Sequence, residues 1–260
     1  MAETGYPWGL NVAIHHHPLG FSYGENATGP IPEIRRLDQI RSSLRDPDCD
    51  GPEEVYAIAM DVAQIQDREA LEQHMLLFGV VTYAAGRLGE EPVRSQGHIH
   101  RISRHSGWSP PELYEIWQGK AIIYMQEYVG DDPGRCFAVM AGPGEKVLVP
   151  PGWGHATISA CPDQPLTFGA WCDREYGFEY ETIRARQGLA WYPLFQERKI
   201  IWQHNDAYLP GRLKVVTPRQ YTEFGITSAP VYQQVVADPA RYQFISRPGN
   251  VANLWHHFHP

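Results

Sequence analysis

Two histidine-containing stretches in the middle of the chain constrain its fold most strongly. The first runs from Gly97 to His100 and carries histidines at positions 98 and 100, and the second runs from Gly144 to His155. Residues two apart on a β-strand point to the same side of the sheet. His98 and His100 are therefore predicted to project together into one interior, as two ligands of a metal site that come from a single strand.

The second stretch has the form G-x5-P-x-G-x2-H, with Gly144, Pro150, Gly152 and His155 at the fixed places. Residues 147–149 are the strongly β-prone run Val-Leu-Val, and proline followed by glycine ends a strand and makes a turn. His155 is therefore predicted to open the next strand and to supply a third imidazole ligand.

Glu112 is the predicted carboxylate ligand. Residues 113–117 after it read Leu-Tyr-Glu-Ile-Trp, and they alternate as a half-buried strand does. Glu115 is the rival candidate. Because it lies three residues further along the strand, it would face the opposite side from Glu112.

Short strand-like runs separated by turn residues predict a mainly β protein, a barrel or sandwich whose interior holds one small ligand. The predicted strands are residues 55–61, 76–84, 92–101, 112–124, 147–149, 155–160 and 166–171. Apolar residues at helical spacing predict an amphipathic helix over residues 34–44, and a short helix is predicted over residues 67–74.

Composition limits the class of partner. The chain has 260 residues, is 43% hydrophobic and has a formal net charge of -8. A chain of this charge, without long basic runs, is not expected to bind nucleic acid or an acidic membrane surface. Four cysteines without CxxC spacing and the lack of a signal-like N-terminus predict a cytoplasmic protein with reduced thiols, and no apolar run is long enough for a membrane span.

Together the two motifs resemble those of the cupin superfamily. The resemblance implies a cupin fold (a double-stranded β-helix or jelly-roll barrel) with a few short helices and one divalent metal per subunit. The implied ligands are His98, His100, Glu112 and His155. This ligand set suits Fe, Mn, Ni or Zn, and the sequence does not rank them.

Within the cupins, the chain resembles the cupin-type glucose-6-phosphate isomerases over roughly residues 33–190. The likeness lies in residues 86–100, 112–114 and 180–183, with weaker matches at residues 35–38 and 55–56. The resemblance implies an aldose–ketose isomerase acting on an acidic hexose, with Glu112 and Tyr114 as the implied catalytic residues.

Four further residues are implied to contact the substrate. Ser95 and Gly97 correspond to the places that hold the sugar phosphate in that family, Thr82 is placed there less securely, and Tyr180 lies in a matching segment. Arg94, Arg101 and Arg104 are further candidates for positive charge near the substrate, although surface positions are expected for all three.

The chain departs from the family at two positions. Cys172 stands where a substrate-contacting tyrosine is expected, and Phe178 where a histidine near the phosphate is expected. Tyr176 or Tyr180 would have to substitute for these contacts. A hexose sulfonate of the sulfoquinovose type is therefore a possible substrate beside a hexose phosphate, and an Fe(II) oxygenase or a non-catalytic sugar-binding cupin are the alternative functions.

Three regions are predicted: an N-terminal arm over residues 1–32, the cupin barrel over residues 33–188, and a C-terminal extension over residues 189–260 that packs on the barrel or on a dimer partner. The resemblance also implies a homodimer. A small acidic sugar is the expected partner molecule.

Overall fold

A computed structural model describes residues 8–260 of the chain, so the first part of the predicted N-terminal arm lies outside the described residues. Twenty strands lie within this range. They are β1 (Val12–His16), β2 (Leu19–Tyr23), β3 (Ala27–Thr28), β4 (Glu33–Arg36), β5 (Glu54–Met60), β6 (Ala63–Gln64), β7 (Leu76–Tyr83), β8 (Arg87–Leu88), β9 (Glu91–Pro92), β10 (Ile99–His100), β11 (Glu112–Gln118), β12 (Ala121–Gln126), β13 (Cys136–Ala141), β14 (Lys146–Val149), β15 (Gly154–Ser159), β16 (Leu166–Asp173), β17 (Phe178–Glu179), β18 (Trp191–Gln196), β19 (Lys199–His204) and β20 (Leu213–Val216).

Helices in the same range are short. The α-helices are α1 (Arg68–Gln73), α2 (Glu181–Arg184), α3 (Val231–Ala237) and α4 (Ala252–His256). The 3-10 helices are Leu37–Gln39, Arg41–Ser43, Ile65–Asp67, Thr222–Phe224, Pro239–Tyr242 and Pro248–Val251. No helix within residues 8–260 is long and apolar enough to cross a membrane.

Two facing sheets form the body of the molecule. The larger has the strand order β14-β11-β16-β7-β5-β4, and the smaller has the order β15-β12-β13-β20. Side chains from both sheets meet in one apolar interior, among them Val81 and Ile116 from the larger sheet and Ile123 and Phe137 from the smaller. The prediction of a mainly β cupin barrel is therefore confirmed.

Most predicted strands match the observed ones within a few residues, but two predictions are wrong. Residues 112–124 form two strands, β11 and β12, which a turn at Gly119 with a φ of +78° separates. The predicted strand over residues 92–101 is not continuous either. The chain there forms only the short strands β9 and β10, and the segment between them touches the sheet through single bridges at Arg94 and His98. Gly97 has a φ of +85°, which breaks the extended backbone that a continuous strand needs.

The predicted helix over residues 34–44 is also wrong. Residues 33–36 form β4, paired with β5, and two 3-10 helices follow. Leu37, Ile40 and Leu44 are buried all the same. Successive tight turns bury residues at a spacing that resembles that of an α-helix, which explains the error.

The C-terminal segment covers the outer face of the larger sheet. Trp117 and Trp171 on that face belong to an apolar cluster that includes Phe224, Tyr232 and Trp255 of the extension. The N-terminal hairpin β1–β2 joins the same cluster through Leu19 and Phe21. Residues from both ends of the chain thus bury a sheet face that the barrel alone would leave in water.

A second part of the extension continues the smaller sheet. Strand β20 pairs in parallel with β13, with Cys136 opposite Leu213. On the outer side of this sheet, Leu189 and Tyr208 pack with Tyr124 and Ile158. The extension therefore packs on the barrel of its own chain on both sheets.

Candidate metal centre

Backbone pairing brings the two histidine motifs together. His98 and His155 exchange two backbone hydrogen bonds, each of 3.0 Å. Because His100 follows two residues after His98, its ring lies beside the other two, with ring centroids 5.0 Å from His98 and 5.1 Å from His155. The three imidazoles that the sequence predicts as ligands share one place.

Glu112 completes the cluster from the start of β11, which pairs with β14 of the second motif at Val149. Its Oε2 lies 3.0 Å from Nε2 of His155, 3.3 Å from Nε2 of His100 and 3.8 Å from Nε2 of His98. One ligand atom from each of the four residues lies within 4.8 Å of the others. This is the spacing that ligands around one metal ion require.

Backbone carbonyls fix the orientation of two of the rings. Nδ1 of His100 donates to the carbonyl of Pro110 at 2.9 Å, and Nδ1 of His155 donates to the carbonyl of Trp153 at 3.0 Å. A histidine with its Nδ1 proton held in this way turns an unprotonated Nε2 toward the metal. Nε2 of His98 and Nε2 of His100 are buried and have no hydrogen-bond partner. A divalent metal would satisfy both atoms, so the residues present fit such an ion.

The charge states of His98 and Glu112 also suit a cation. Burial, together with the charges of His155 and His100, holds the pKa of His98 well below its usual value, so its imidazole stays neutral. Burial opposes ionisation of Glu112, but the neighbouring imidazoles of His100 and His155 hold the pKa of this carboxyl well below its usual range. A neutral imidazole and an ionised carboxylate are the protonation states that bind metals. At His100 burial opposes protonation, but the neighbouring Cys172 and Glu112 raise the pKa above its usual value, so a metal would have to displace a proton there.

Glu115, the rival ligand, faces the other side of β11 as its position on the strand predicts. Its carboxylate accepts from Nζ of Lys146 at 2.9 Å and from the backbone N–H of Val231 at 3.1 Å. It therefore joins the barrel to the C-terminal extension and lies outside the cluster of ligands.

A cavity of about 410 Å³ opens on the cluster. His98, Glu112 and Tyr114 line its inner end, and Ser95 and Tyr180 also line it. The hydroxyl of Tyr114 donates to Oε2 of Glu112 at 2.7 Å. The volume is that of a pocket for one small molecule, as the barrel predicts.

Two predicted substrate contacts lie elsewhere. Thr82 is fully buried on the opposite face of β7 from the cavity-lining Val81 and Tyr83, and its hydroxyl pairs with that of Thr167 at 2.9 Å. Strand alternation excludes it from the cavity, which corrects its assignment as a substrate residue. Gly97 does not line the cavity either. A β-carbon on it would lie 2.9 Å from Cδ1 of Leu189, so its place requires glycine for packing as well as for its positive φ.

Cys172 and Phe178, the two departures from the family pattern, lie beside the histidines. Sγ of Cys172 is 4.0 Å from Nδ1 of His100 and is buried, and the ring of Phe178 is 4.4 Å from that of His98. Phe178 makes the surroundings of the imidazoles more apolar, whereas the thiol of Cys172 keeps a polar contact with His100. Tyr176 and Tyr180, the suggested substitutes, both line the cavity.

The cavity is also lined by residues that the sequence did not identify as site residues, among them the polar Arg35 and Gln96. Arg35 was assigned to a helix, and Gln96 was passed over between Ser95 and Gly97. Arg94, which was considered as a source of charge, is neither on the surface nor free to bind a ligand. It is buried, and its guanidinium donates to Glu91 at 2.6 Å and to the carbonyl of Ser43 at 2.7 Å.

Comparison with known proteins gives one consistent result. Residues 43–210 match the glucose-6-phosphate isomerase family. Glucose-6-phosphate isomerase of Pyrococcus abyssi is 26% identical over 207 residues, covering 78% of this chain and 96% of the relative. The same enzyme of Pyrococcus furiosus is 29% identical over 191 residues, covering 72% of this chain and 87% of the relative.

Solved structures show a weaker likeness. An oxalate oxidase superposes with a TM-score of 0.34 at 14% identity, covering 48% of this chain and 54% of the other. Oxalate decarboxylase from Bacillus subtilis gives a TM-score of 0.34 at 16% identity, covering 48% of this chain and 28% of the other.

Proposed function

The chain belongs to the glucose-6-phosphate isomerase family, and we propose that it is a metal-dependent aldose–ketose isomerase. Its proposed substrates are glucose 6-phosphate and fructose 6-phosphate, or the corresponding isomers of a related acidic hexose of the sulfoquinovose type. The observation that carries the proposal is the cluster of His98, His100, His155 and Glu112 at the inner end of a cavity that admits one small molecule. Family membership supports the isomerase class, and the cluster supports the requirement for a metal.

We assign the metal to Nε2 of the three histidines and to the carboxylate of Glu112. A divalent ion held there supplies a Lewis acid for the carbonyl and hydroxyl oxygens of the sugar. Three imidazoles and one carboxylate leave room for substrate oxygens, as catalytic sites do.

Glu112 is also the group placed to hold a proton. Isomerisation moves hydrogen from C2 of the aldose to C1 of the ketose, and a carboxylate that lines the cavity can take this proton and return it. Tyr114 fixes the carboxylate through its 2.7 Å hydrogen bond. In the alternative route, the hydrogen passes directly between the two carbons as a hydride, and Glu112 acts as a ligand alone.

Ser95 and Tyr180 are the proposed substrate contacts on the cavity wall. The Ser95 hydroxyl accepts the backbone N–H of Thr157 at 3.1 Å, which leaves its own proton available for a substrate oxygen. The Tyr180 ring lies 6.1 Å from that of His98, so the phenol flanks the inner end of the cavity.

The test is turnover of fructose 6-phosphate by metal-stripped protein reloaded separately with Fe(II), Mn(II), Ni(II) or Zn(II). We expect formation of glucose 6-phosphate with at least one metal, and none in the double variant His98→Ala/His100→Ala. Deuterium uptake from D2O into the product would favour proton transfer through Glu112. A product without deuterium would favour the direct hydride shift between the two carbons. Metal-loaded protein that turns over no acidic hexose would contradict the proposal, and substrate-dependent oxygen consumption would indicate the oxygenase.

A homodimer and a cytoplasmic location are also expected of such an enzyme, and both stay predictions. Sedimentation equilibrium of the full chain tests the first. Because the extension already covers the outer face of the larger sheet, a dimer would have to pair through another surface.

A further inference from the structure

Arg35 lies on the inner face of the larger sheet, at its β4 edge. It is the direct cross-strand partner of Tyr56 on β5, and Tyr56 is in turn the partner of Tyr83 on β7. Directly opposed residues point to the same side of a sheet. The three side chains therefore form a row along one wall of the cavity, and all three line it.

The guanidinium of Arg35 is only partly neutralised. Its Nη2 pairs with Glu33 at 2.7 Å, but the Glu33 side chain is 61% exposed whereas that of Arg35 is 16% exposed. Nε of Arg35 is buried and has no hydrogen-bond partner. The ion pair thus occupies the solvent side of the guanidinium, and a donor toward the interior remains unsatisfied.

Gln96 supplies a second unsatisfied donor to the same cavity. Its side-chain oxygen accepts from Nε of Arg184 at 2.9 Å, which fixes the orientation of the amide. Gln96 is 1% exposed, and its Nε2 is buried without a hydrogen-bond partner. A buried amide in this state is costly, and an acceptor from a ligand would remove that cost.

Tyr180 connects the two donors in space. The guanidinium of Arg184, which holds Gln96, lies 5.1 Å above the Tyr180 ring. Burial raises the pKa of Tyr180 and the positive charge of Arg35 opposes this rise, so Arg35 is within electrostatic reach of the same phenol. Gln96 is thus linked through Arg184 to one tyrosine of the cavity wall, and Arg35 lines the same cavity.

From these contacts we propose that Arg35 and Gln96 form an anion-binding end of the cavity, which binds the terminal phosphate or sulfonate of an open-chain hexose. The other end of the sugar then lies at the cluster of His98, His100, His155 and Glu112. The inference rests on the proposed function and names the group that it recognises. An acceptor-rich terminal anion matches two unsatisfied donors of one cavity, one of them charged.

The probes are compounds that bind without isomerising: a hexitol 6-phosphate, the matching 6-deoxy-6-sulfohexitol and the neutral hexitol. Their affinities for the metal-loaded protein are compared by calorimetry with those of Arg35→Met, Gln96→Leu and the control Arg212→Met. Arg212 is exposed and does not line the cavity, so its variant loses the same charge from the surface.

We expect Arg35→Met to weaken binding of the charged hexitols by about tenfold to a hundredfold, and Gln96→Leu by about threefold to tenfold. Neither change should alter affinity for the neutral hexitol, and Arg212→Met should behave as the wild type. The charged hexitol that the wild type binds more tightly identifies whether the natural substrate carries a phosphate or a sulfonate. Unchanged affinity for both charged hexitols in Arg35→Met and Gln96→Leu, with metal content and melting temperature preserved, would overturn the proposal.

Turnover measured in parallel separates this inference from the proposed function. If the wild-type protein binds the charged hexitols through Arg35 but isomerises no acidic hexose, the proposed anion site is supported and the proposed isomerase activity is contradicted. If the protein isomerises an acidic hexose and Arg35→Met leaves the KM unchanged, the isomerase activity is supported and the proposed anion site is contradicted. Gln96→Leu lies outside β4, and it tests the same site if Arg35→Met fails to fold.

Discussion

The hydroxyl of Tyr114 donates to Oε2 of Glu112, two residues earlier on the same strand, at 2.7 Å. Removing this donor should leave the carboxylate of Glu112 in place but less firmly oriented. A hydrogen bond to a charged group contributes about 1.5–3 kcal/mol, so we expect Tyr114→Phe to lower kcat by about tenfold to a hundredfold. Steady-state kinetics with fructose 6-phosphate measures the effect.

Tyr128→Phe is the matched control, because Tyr128 is exposed and does not line the cavity, whereas Tyr114 donates to the carboxylate. Metal content should equal that of the wild type in both variants. Equal kcat values for the two variants would show that the hydrogen bond to Glu112 has no part in the reaction.

Metal removal should destabilise the fold as well as abolish activity. Nε2 of His98 and Nε2 of His100 are buried without a partner, and a metal that binds the folded state alone stabilises it. At a free metal concentration of a hundred times Kd, the gain is about 2.7 kcal/mol. We expect chelation to lower the melting temperature and re-addition of a divalent metal to restore it.

The variant His98→Ala/His100→Ala serves as the control for this measurement, since it should melt at one temperature with and without the metal. A wild-type melting temperature that stays constant while elemental analysis shows the metal leaving would argue against a metal held by this cluster.

The candidate metal ligands are predictable from the sequence because their grouping depends on local spacing. His98 and His100 are two apart, and Glu112 and Glu115 are three apart, so strand alternation alone places the first pair together and the second pair on opposite faces. The structure has this arrangement, with Glu115 paired to Lys146 on the far side of β11.

Arg35 could not be found in that way. Ile34, Leu37, Ile40 and Leu44 have helical spacing, yet their burial comes from one strand and two 3-10 turns. Whether Arg35 faces water or the cavity depends on its pairing with Tyr56, a contact between separate strands that no local pattern specifies. Thr82 shows the same limit, because one residue of register moves a side chain to the other face.

Lys146 and Glu115 form a buried ion pair, with side chains 7% and 2% exposed, and burial raises the pKa of Glu115 even beside the ammonium. Removing the lysine leaves a buried carboxylate without its partner. We expect Lys146→Met to lower the free energy of unfolding by about 3–5 kcal/mol in urea titrations.

The double variant Lys146→Met/Glu115→Gln should recover much of this loss, because the amide oxygen can still accept the backbone N–H of Val231. Lys199→Met, at an exposed position of β19, is the control. A loss at Lys146 no larger than that at Lys199 would show that the pair adds nothing to stability.

Asp61 should make part of the stability dependent on pH. Its carboxylate pairs with Arg68 and with Arg174, at 2.8 Å and 2.9 Å, which ties α1 to the end of β16. Burial alone would raise the pKa of Asp61, but the two arginines hold it below its ordinary value of 3.8. A carboxyl whose pKa is lower in the folded state stabilises the fold above its unfolded value, and the contribution is lost as the pH falls through the folded pKa.

We therefore expect Asp61→Asn to lower the free energy of unfolding at pH 6, with the difference from the wild type shrinking as the pH falls below about 4. Asparagine tolerates the φ of +71° at this position, so the change tests the charge and leaves the backbone unstrained. Urea titrations between pH 3 and 6 give the comparison, with Asp163→Asn at an exposed position as the control. A difference that stays constant across this range would assign the effect of Asp61 to hydrogen bonding alone, because an amide and a protonated carboxyl carry no charge to attract the two arginines.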